Sequence, residues 1–441
     1  MEIPAVFLAL LDKGLIADIM RDKIIGVSRT TFASLKMRNF RLYFLGQSIS
    51  LTGGWMQNVA QAWLILHLTH SGTALGIAAA LQCGPTLFLG PYAGVLATRL
   101  PKRRILLVTQ TMAGLLALVL GVLVATNTVQ PHAVYLMAGL LGVVNAIDYP
   151  VRQSFLYELV GPTELVSAVG LTATSVNLAR VVGPAIAATI IGGVGLAACF
   201  FINAASFIAV LVCLVMMRPQ EFHSAAKQLP EGGVREGVTY AAHTPVVRES
   251  LLMMAVVGVF TYEFSVTLPM LAKFTFGAGA VGLAYLMSAM GVGAVVGGLV
   301  TAARRGEGLD TLTSRALAFG VTTALVGLAP NLAVASALMF FVGVFSARFT
   351  GLSSSILQLR CSLPMRSRVV ALWSTAFVGA TLVGSPLLGW LGEAAGPRWA
   401  LGAGAIGGII AAAIGWWGMR KAETCAVDQI VPPERARSIA S

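Results

Sequence analysis

Charged side chains are scarce in this chain: Asp, Glu, Lys and Arg make up 11% of its 441 residues, against roughly a quarter in a soluble domain. So thin a charged surface excludes an ordinary soluble globule. Chemistry-bearing motifs are missing too. No Gly-Lys dipeptide occurs, so the chain has no phosphate-cradling loop of the Walker type and is no ATP-driven pump by itself. Neither a His-Glu-x-x-His run nor a cluster of carboxylates occurs, which leaves a membrane enzyme without a catalytic constellation. The five cysteines (Cys83, Cys199, Cys213, Cys361, Cys425) are odd in number, lack Cys-x-x-Cys spacing, and lie in apolar runs in four cases. They read as small core residues, not as disulfide or metal ligands. His67 and His70 have no carboxylate or cysteine beside them and read as a polar cap at a helix end. No metal or cofactor is expected. Nor is a cleavable leader, because residues 5–11 are short, lack a basic start and precede no small-residue cleavage site.

What the chain has is apolar length. Hydrophobic residues reach 57% and mean hydropathy is +0.82. Runs of about 20 apolar residues recur, each long enough to cross a hydrocarbon layer of roughly 30 Å. Only helices or closed barrels satisfy their backbone in lipid, and stretches such as 105–125 and 200–217 lack the alternation of a barrel strand. Twelve helical spans are predicted, near 40–67, 74–98, 104–126, 132–156, 164–191, 194–217, 250–271, 279–303, 311–329, 332–358, 367–391 and 399–420. Trp63, Trp399, Trp416 and Trp417 sit where an aromatic belt is expected.

Positive charge is almost absent from alternate gaps. Twenty-six of the thirty Lys and Arg residues fall at every second gap, whereas the remaining gaps hold only Lys273 and Arg398. This is the positive-inside pattern, and it predicts an even number of spans with both termini in the cytoplasm of a cell-membrane protein. The net charge of +12 is scattered over short loops with no basic domain, so anionic lipid headgroups are the expected partner and nucleic acid is not. Phe7, Leu11, Leu15 and Ile19 are spaced for an amphipathic helix on the inner surface; a tail, or a start at Met37, accounts for the same residues equally well.

The one long interior gap, 218–249, is charged and carries Pro219, Pro230 and Pro245. It divides the chain into a cytoplasmic segment 1–38, a six-helix bundle 39–217, a central loop 218–249 with a short surface helix near 234–242, a second bundle 250–420 and a cytoplasmic tail 421–441. The halves repeat: Gly142 and Gly343, Gly183 and Gly384, and Gly195 and Gly396 are each 201 residues apart. Two like halves with a site between them are the architecture of a secondary transporter.

Four segments are distinctive: Asn39-Phe-Arg-Leu-Tyr-Phe-Leu-Gly-Gln47, Ser50-Leu-Thr-Gly-Gly-Trp-Met-Gln57, Asp148-Tyr-Pro150-Val-Arg152-Gln153 and Asn177-Leu-Ala-Arg180-Val-Val-Gly183-Pro184. On these the chain resembles the major facilitator superfamily, and within it the twelve-span drug:proton antiporters that include macrolide-efflux and enterobactin-exporter proteins. The resemblance covers roughly 37–420. It implies an all-α polytopic membrane protein of the major facilitator fold, with 12 transmembrane helices in two pseudo-symmetric bundles. It further implies export of a small amphipathic molecule (a drug, antibiotic or siderophore) by alternating access in exchange for protons, with the monomer as the working unit.

Two family motifs map onto this sequence. The exporter motif G-x8-G-x3-GP-x2-GG falls on Gly170, Ala179, Gly183, Pro184, Ala187 and Ala188, with an echo at Ala371, Ala380, Gly384 and Pro386. Small residues at this spacing let helix backbones approach closely, and a proline adds a kink. The loop motif G-x-L-A-D-R-x-G-R-R falls on Gly94, Leu96, Ala97, Thr98, Arg99, Pro101, Lys102 and Arg103. Thr98 stands where the family has an aspartate and Pro101 where it has a second glycine, so the implied inner gate lacks one charge. The arginine usual in the fourth span is replaced by the Leu140-Leu141-Gly142 region, and proton coupling therefore rests on the resemblance alone.

Ionisable groups at bilayer depth are costly and mark candidate sites. Four qualify: Asp148, Arg180, Glu263 and Arg348. Glu263 and Arg348 are expected to pair, either as a coupling site exchanging a proton or cationic substrate or as a static strut. Arg180 is expected to reach Asp148, and Asp148 with Arg152 to form gate contacts. Gln47, Ser50, Gly54, Asn58 and Gln61 make a polar stripe on the first span, a substrate-cavity wall to which Trp55 and Tyr262 add aromatic surface; helix–helix hydrogen bonding is the alternative role. An importer of a small metabolite is the principal rival function, and a membrane enzyme or non-transporting receptor a lesser one. Reporter fusions at residues 128 and 225 are expected to fall on opposite sides of the bilayer, the first outside and the second in the cytoplasm; an assay that reads the compartment of each tag checks this.

Overall fold

The computed structural model describes residues 32–223, 234–303 and 308–430, and contains no strand among them. The expected surface helix over residues 7–19 lies outside this range. The helices are α1 (Arg38–Thr69), α2 (Gly72–Arg99), α3 (Lys102–Ala125), α4 (Pro131–Gly193), α5 (Leu196–Met216), the short α6 (Val234–His243), α7 (Pro245–Val256), α8 (Phe264–Met270), α9 (Gly279–Ala303), α10 (Leu309–Leu328), α11 (Leu332–Arg360), α12 (Leu363–Ala394) and α13 (Pro397–Ile430). Local chemistry sets several of their ends. The Ser71 hydroxyl accepts from the Ala74 N–H and the Asn331 side chain from the Val334 N–H, satisfying first-turn donors that have no partner within the helix. α13 runs on to Ile430, beyond the expected end near 420.

Ten of these segments are long and apolar enough to span a membrane, where the sequence predicts twelve. Two elements make the difference. α4 is 63 residues long, about 95 Å at the usual rise, and it breaks at Gly161, whose φ of 66° and ψ of −175° are non-helical. Glycine adopts that backbone without a side-chain clash, and Pro162 follows it, so α4 is two arms, 131–160 and 162–193. The other element is α1, whose Gln47, Gln57 and Gln61 lower its hydropathy but are buried inside the protein. The bundle's outer surface is the reverse: Leu115, Val119, Ile208, Val212, Leu299 and Leu325 are exposed. An apolar rim around a polar interior belongs in lipid. The protein is a multi-pass membrane protein.

Helix packing carries the sequence repeat into three dimensions. A Cβ on Gly142 would run into the Gln82 carbonyl of α2, and one on Gly343 into the Met290 carbonyl of α9. A Cβ on Gly183 would strike Trp55 and Thr52 of α1, and one on Gly384 would strike Val259, which follows α7. Gly195 and Gly396, with φ of 110° and 103°, open α5 and α13 in the same way. Each glycine pair thus does the same work in both halves: the first two give close backbone approach where lipid supplies no hydrophobic drive between helices, and the third gives the positive φ that opens a helix.

α7 and α8 form one interrupted span, Pro245–Thr275. Five-residue π turns at Val257–Thr261 and Leu271–Thr275 flank α8, and Glu263 sits at the first break with φ −86° and ψ 47°. Extra residues of this kind mark functional positions more often than chance would place them.

The bundles meet along α2 with α12 and along the distal arm of α4 with α9. Gly72 and Gly76 lie against the Gly389 and Ser385 carbonyls, and Gly291 against Val181. At the end away from α6, the Glu393 carboxylate accepts from Ser71 Oγ (2.6 Å), Thr73 N (3.0 Å) and Thr73 Oγ1 (2.7 Å). Lys273 donates to the Leu66 carbonyl at that same end, and Ser288 donates to the Val181 carbonyl midway (3.1 Å). Toward the α6 end, Phe88 and Tyr92 of α2 are exposed and a Cβ on Gly170 or Gly298 would meet nothing. The Glu393, Lys273 and Ser288 hydrogen bonds between the bundles lie midway and at the end away from α6, where they clamp the two together.

Gly384→Ala should destabilise the protein by about 1–3 kcal/mol, because a backbone carbonyl cannot yield as a side chain does. Gly170→Ala should leave stability unchanged or slightly raised, since alanine favours helix and nothing is in its way. Thermal melting of the two purified variants checks both.

Candidate functional site

Two cavities run inward from the bundle interface. One, of about 270 Å³, lies within the N-terminal bundle and is walled by Ser50, Gly54, Gln57, Gln110, Asn145 and Asp148, among others. The second, of about 200 Å³, lies between the bundles against α1, α2, α8, α9 and α12, with Gln61, Cys83, Ser265, Met287 and Thr381 in its wall. Trp55, Asn58 and Gln82 belong to both, so the two spaces adjoin there.

The charges in the first cavity pair with each other, although the Arg152 Nε is left buried without a partner. Asp148 is buried, and its Oδ1 accepts from Thr109 Oγ1 (2.6 Å) and Gln110 Nε2 (2.8 Å) while its Oδ2 pairs with Arg152. Arg152 also donates to Gln47 Oε1 at 2.6 Å. The network joins α1, α3 and α4.

Several expectations need correction here. Arg180 does not reach Asp148, which is satisfied by the residue one turn along its own helix; the Arg180 guanidinium lies over the Trp55 ring at 5.1 Å, a cation–π contact. Glu263 does not pair with Arg348. The π turn before it inserts a residue and carries the side chain toward α12, where its carboxylate accepts from Ser385 with Thr381 beside it. Arg348 is buried on α11. Tyr262 walls neither cavity: its ring packs against Phe264, Phe319 and Phe377, the last at 5.0 Å. Gln47 is drawn out of the substrate stripe by Arg152, whereas Ser50, Gly54, Trp55 and Asn58 wall the first cavity and Gln61 the second.

Of the motif residues, Gly183, Pro184, Ala179, Ala187 and Ala188 are buried, while Gly170 faces open space. Lys102 pairs with Glu158 across α3 and α4. Arg103 donates to the Leu214 and Val215 carbonyls (2.7 and 2.9 Å) at the C-terminal end of α5, where a cation suits the helix dipole. The side chains of Gly94, Thr98 and Arg99 lie outside the described ones. Sequence reading missed Gln82, Gln110, Asn145 and Asn203, each an amide in an apolar helix. The signal was present, since Asn145, Asp148 and Arg152 recur at helical spacing on one face of α4. Among the described residues no group of His, Cys, Asp or Glu could hold a metal ion.

Comparison with known proteins places this geometry. Residues 29–434 match the family described as transmembrane secretion effector. The multidrug efflux pump Tap of Mycobacterium tuberculosis is 26% identical over 362 residues, 79% of this chain and 85% of that protein. The enterobactin exporter EntS of Escherichia coli is 26% identical over 361 residues, 80% of this chain and 85% of its own. The staphyloferrin A transporter of Staphylococcus aureus is 31% identical over 196 residues, 44% of this chain and 48% of that relative. In fold, a bacterial homologue of the iron transporter ferroportin, solved in an inward-facing state, has a TM-score of 0.69 at 15% identity, covering 86% of this chain and 98% of the other. A bacterial Spinster homologue, inward-facing and occupied, has a TM-score of 0.68 at 14% identity, covering 86% of this chain and 96% of its own.

Arg152→Met should cost about 3 kcal/mol, the low end for orphaning a buried partner because Arg152 itself is a quarter exposed. Combining it with Asp148→Asn should restore most of that loss. Denaturation midpoints of the single and double variants decide it.

Proposed function

The chain belongs to the transmembrane secretion effectors of the major facilitator superfamily, and on that premise we propose that it exports small amphipathic molecules across the cell membrane in exchange for protons. It is a transporter and not an enzyme, as its family and fold have it. The observation that carries the finer reading is the cavity between the bundles. It is walled by Trp55, Asn58 and Gln61 on one side and Thr381 on the other, next to a carboxylate buried at a helix interruption. With the α6 end in the cytoplasm, the contacts that clamp the bundles together lie on the outer side. The two moving bodies are 39–217 and 250–420, linked through 218–249.

Substrate enters from the cytoplasm and lies across Trp55. Rocking of one bundle against the other then requires Glu393 to leave Ser71 and Thr73 and Lys273 to leave Leu66, and the α6 end to close in turn. Glu263 is the coupling group. Its Ser385 contact links the interrupted span to α12, the helix that meets α2 across the interface. Exposed to the outside, Glu263 takes a proton; returned to the cytoplasmic side, it releases it as substrate binds. Arg348, Arg180 and the Asp148–Arg152 pair hold the helices in register around it. The monomer is the working unit, and the basic rim at the α6 end rests on anionic lipid headgroups. Efflux of drugs and siderophores by family members supports this direction of transport.

Glu263→Gln keeps the hydrogen-bonding shape and removes the titration. In everted vesicles the variant should lose uptake driven by a pH gradient while still exchanging labelled substrate across the membrane, and an uncoupler should reduce wild-type uptake to the level of the variant. Gradient-driven uptake that survives in Glu263→Gln would retire Glu263 as the coupling group.

A further inference from the structure

The cavity inside the N-terminal bundle is a separate feature from the space between the bundles, and its polar groups obey a strict accounting. Asp148 only accepts hydrogen bonds, so Gln110 must present its Nε2, which fixes the amide and leaves Oε1 aimed away from the carboxylate. That oxygen is buried without a partner, on a residue only 2% exposed that lines the cavity. Arg152 only donates, so Gln47 must present Oε1, and its Nε2 is likewise buried without a partner. Asn203 donates to Gln57 Oε1 at 2.6 Å, which fixes the Gln57 amide with its Nε2, a donor, on the side away from Asn203. The ion pair thus orients the amides around it and leaves the Gln110 acceptor unspent on a residue of the cavity wall, whereas Gln47 with its unspent donor lies off that wall.

The same pair closes the site to charge. Both carboxylate oxygens of Asp148 are taken, by Thr109 with Gln110 and by Arg152. Arg152 gives one N–H each to Gln47 and Asp148, and its Nε is buried without a partner. The directly paired Asp148 and Arg152 carry no net charge between them, so neither a cation nor an anion meets an uncompensated charge here. The volume of about 270 Å³ has room for about nine waters at ~30 Å³ each, well beyond what solvating one amide requires. Across Trp55 and Asn58 the central cavity is mostly apolar, with Val59, Ile65, Leu75, Ala78 and Leu283 in its wall.

We propose that this cavity is a head-group subsite for the neutral, hydrogen-bonding end of the exported molecule, a polyol or amide, with the apolar remainder lying over Trp55 between the bundles. The assignment rests on the exporter function proposed above and narrows its substrates to molecules whose polar end is uncharged. Gln110 and Asn145 read the head group; Asp148 positions the Gln110 amide without touching the head group itself.

The test is equilibrium binding to the full chain in lipid nanodiscs, with p-nitrophenyl glucoside as the neutral aryl polyol and phenyltrimethylammonium as a cationic aryl probe. The glucoside should bind and the cation should bind weakly. Gln110→Leu and Asn145→Leu should each weaken the glucoside about tenfold, the loss of one well-made hydrogen bond, and leave the cation unaffected. Asn145→Leu decides the matter if Gln110→Leu unsettles the fold, since Asn145 makes no contact with the ion pair. No glucoside binding, equal binding by the variants, or a preference for the cation would overturn the assignment and leave the cavity as a water-filled void. Because binding is read without transport, glucoside binding in a protein that moves nothing would count against the exporter function instead.

Discussion

Hydrocarbon offers a peptide group or a carboxylate no partner, and everything in this structure follows from that refusal. The backbone answers by coiling into helices that satisfy themselves. Polar side chains turn inward and find one another: Asp148 gathers donors from α3 and α4, and Glu263 takes its donor from α12. Outside, Leu, Val and Ile face the lipid. With no hydrophobic drive between spans, contact has to come from close approach, and glycine supplies it where α2 meets α4, α9 meets α11, and α1 meets the distal arm of α4.

The same constraint gives the bundle interface its character. Extensive polar contact midway through the membrane would be hard to break and remake, so the bundles touch there mainly through small residues. Charge is spent at the clamped end, where water can take over when the clamp opens. Glu393 caps the start of α2 from the other bundle, and Lys273 reaches a carbonyl near the end of α1. One is an anion at a helix N-terminus and the other a cation at a helix C-terminus, each the favourable sense of the dipole. Interrupted helix α7–α8 brings backbone irregularity to membrane depth, which is tolerated only where protein or a cavity lines it.

Much of the candidate site was legible before any coordinates. Of the polar stripe read on α1, four members reach a cavity wall. The exporter motif pointed to close packing, which Gly183 delivers. The differences come from departures from straight helices. Glu263 and Arg348 were matched by depth and Tyr262 was set on a cavity wall, but the π turn and the break at Glu263 rotate side chains by amounts that spacing cannot show. Arg180 and Asp148 lie on either side of the break at Gly161. Gln110 and Asn203 were invisible for a different reason: a single amide in an apolar run has meaning only when its partners are known.

Composition and charge order alone determined that this is a helical, multi-spanning membrane protein. Those properties depend on transfer between water and lipid, which acts on each segment independently of its neighbours. Which polar groups meet, which end of the interface is clamped, and where the cavities lie were decided only in the tertiary structure. Pairing inside the membrane depends on the rotation and depth of several helices at once. A local sequence pattern sets neither, because a shift of one residue swings a side chain by about 100°.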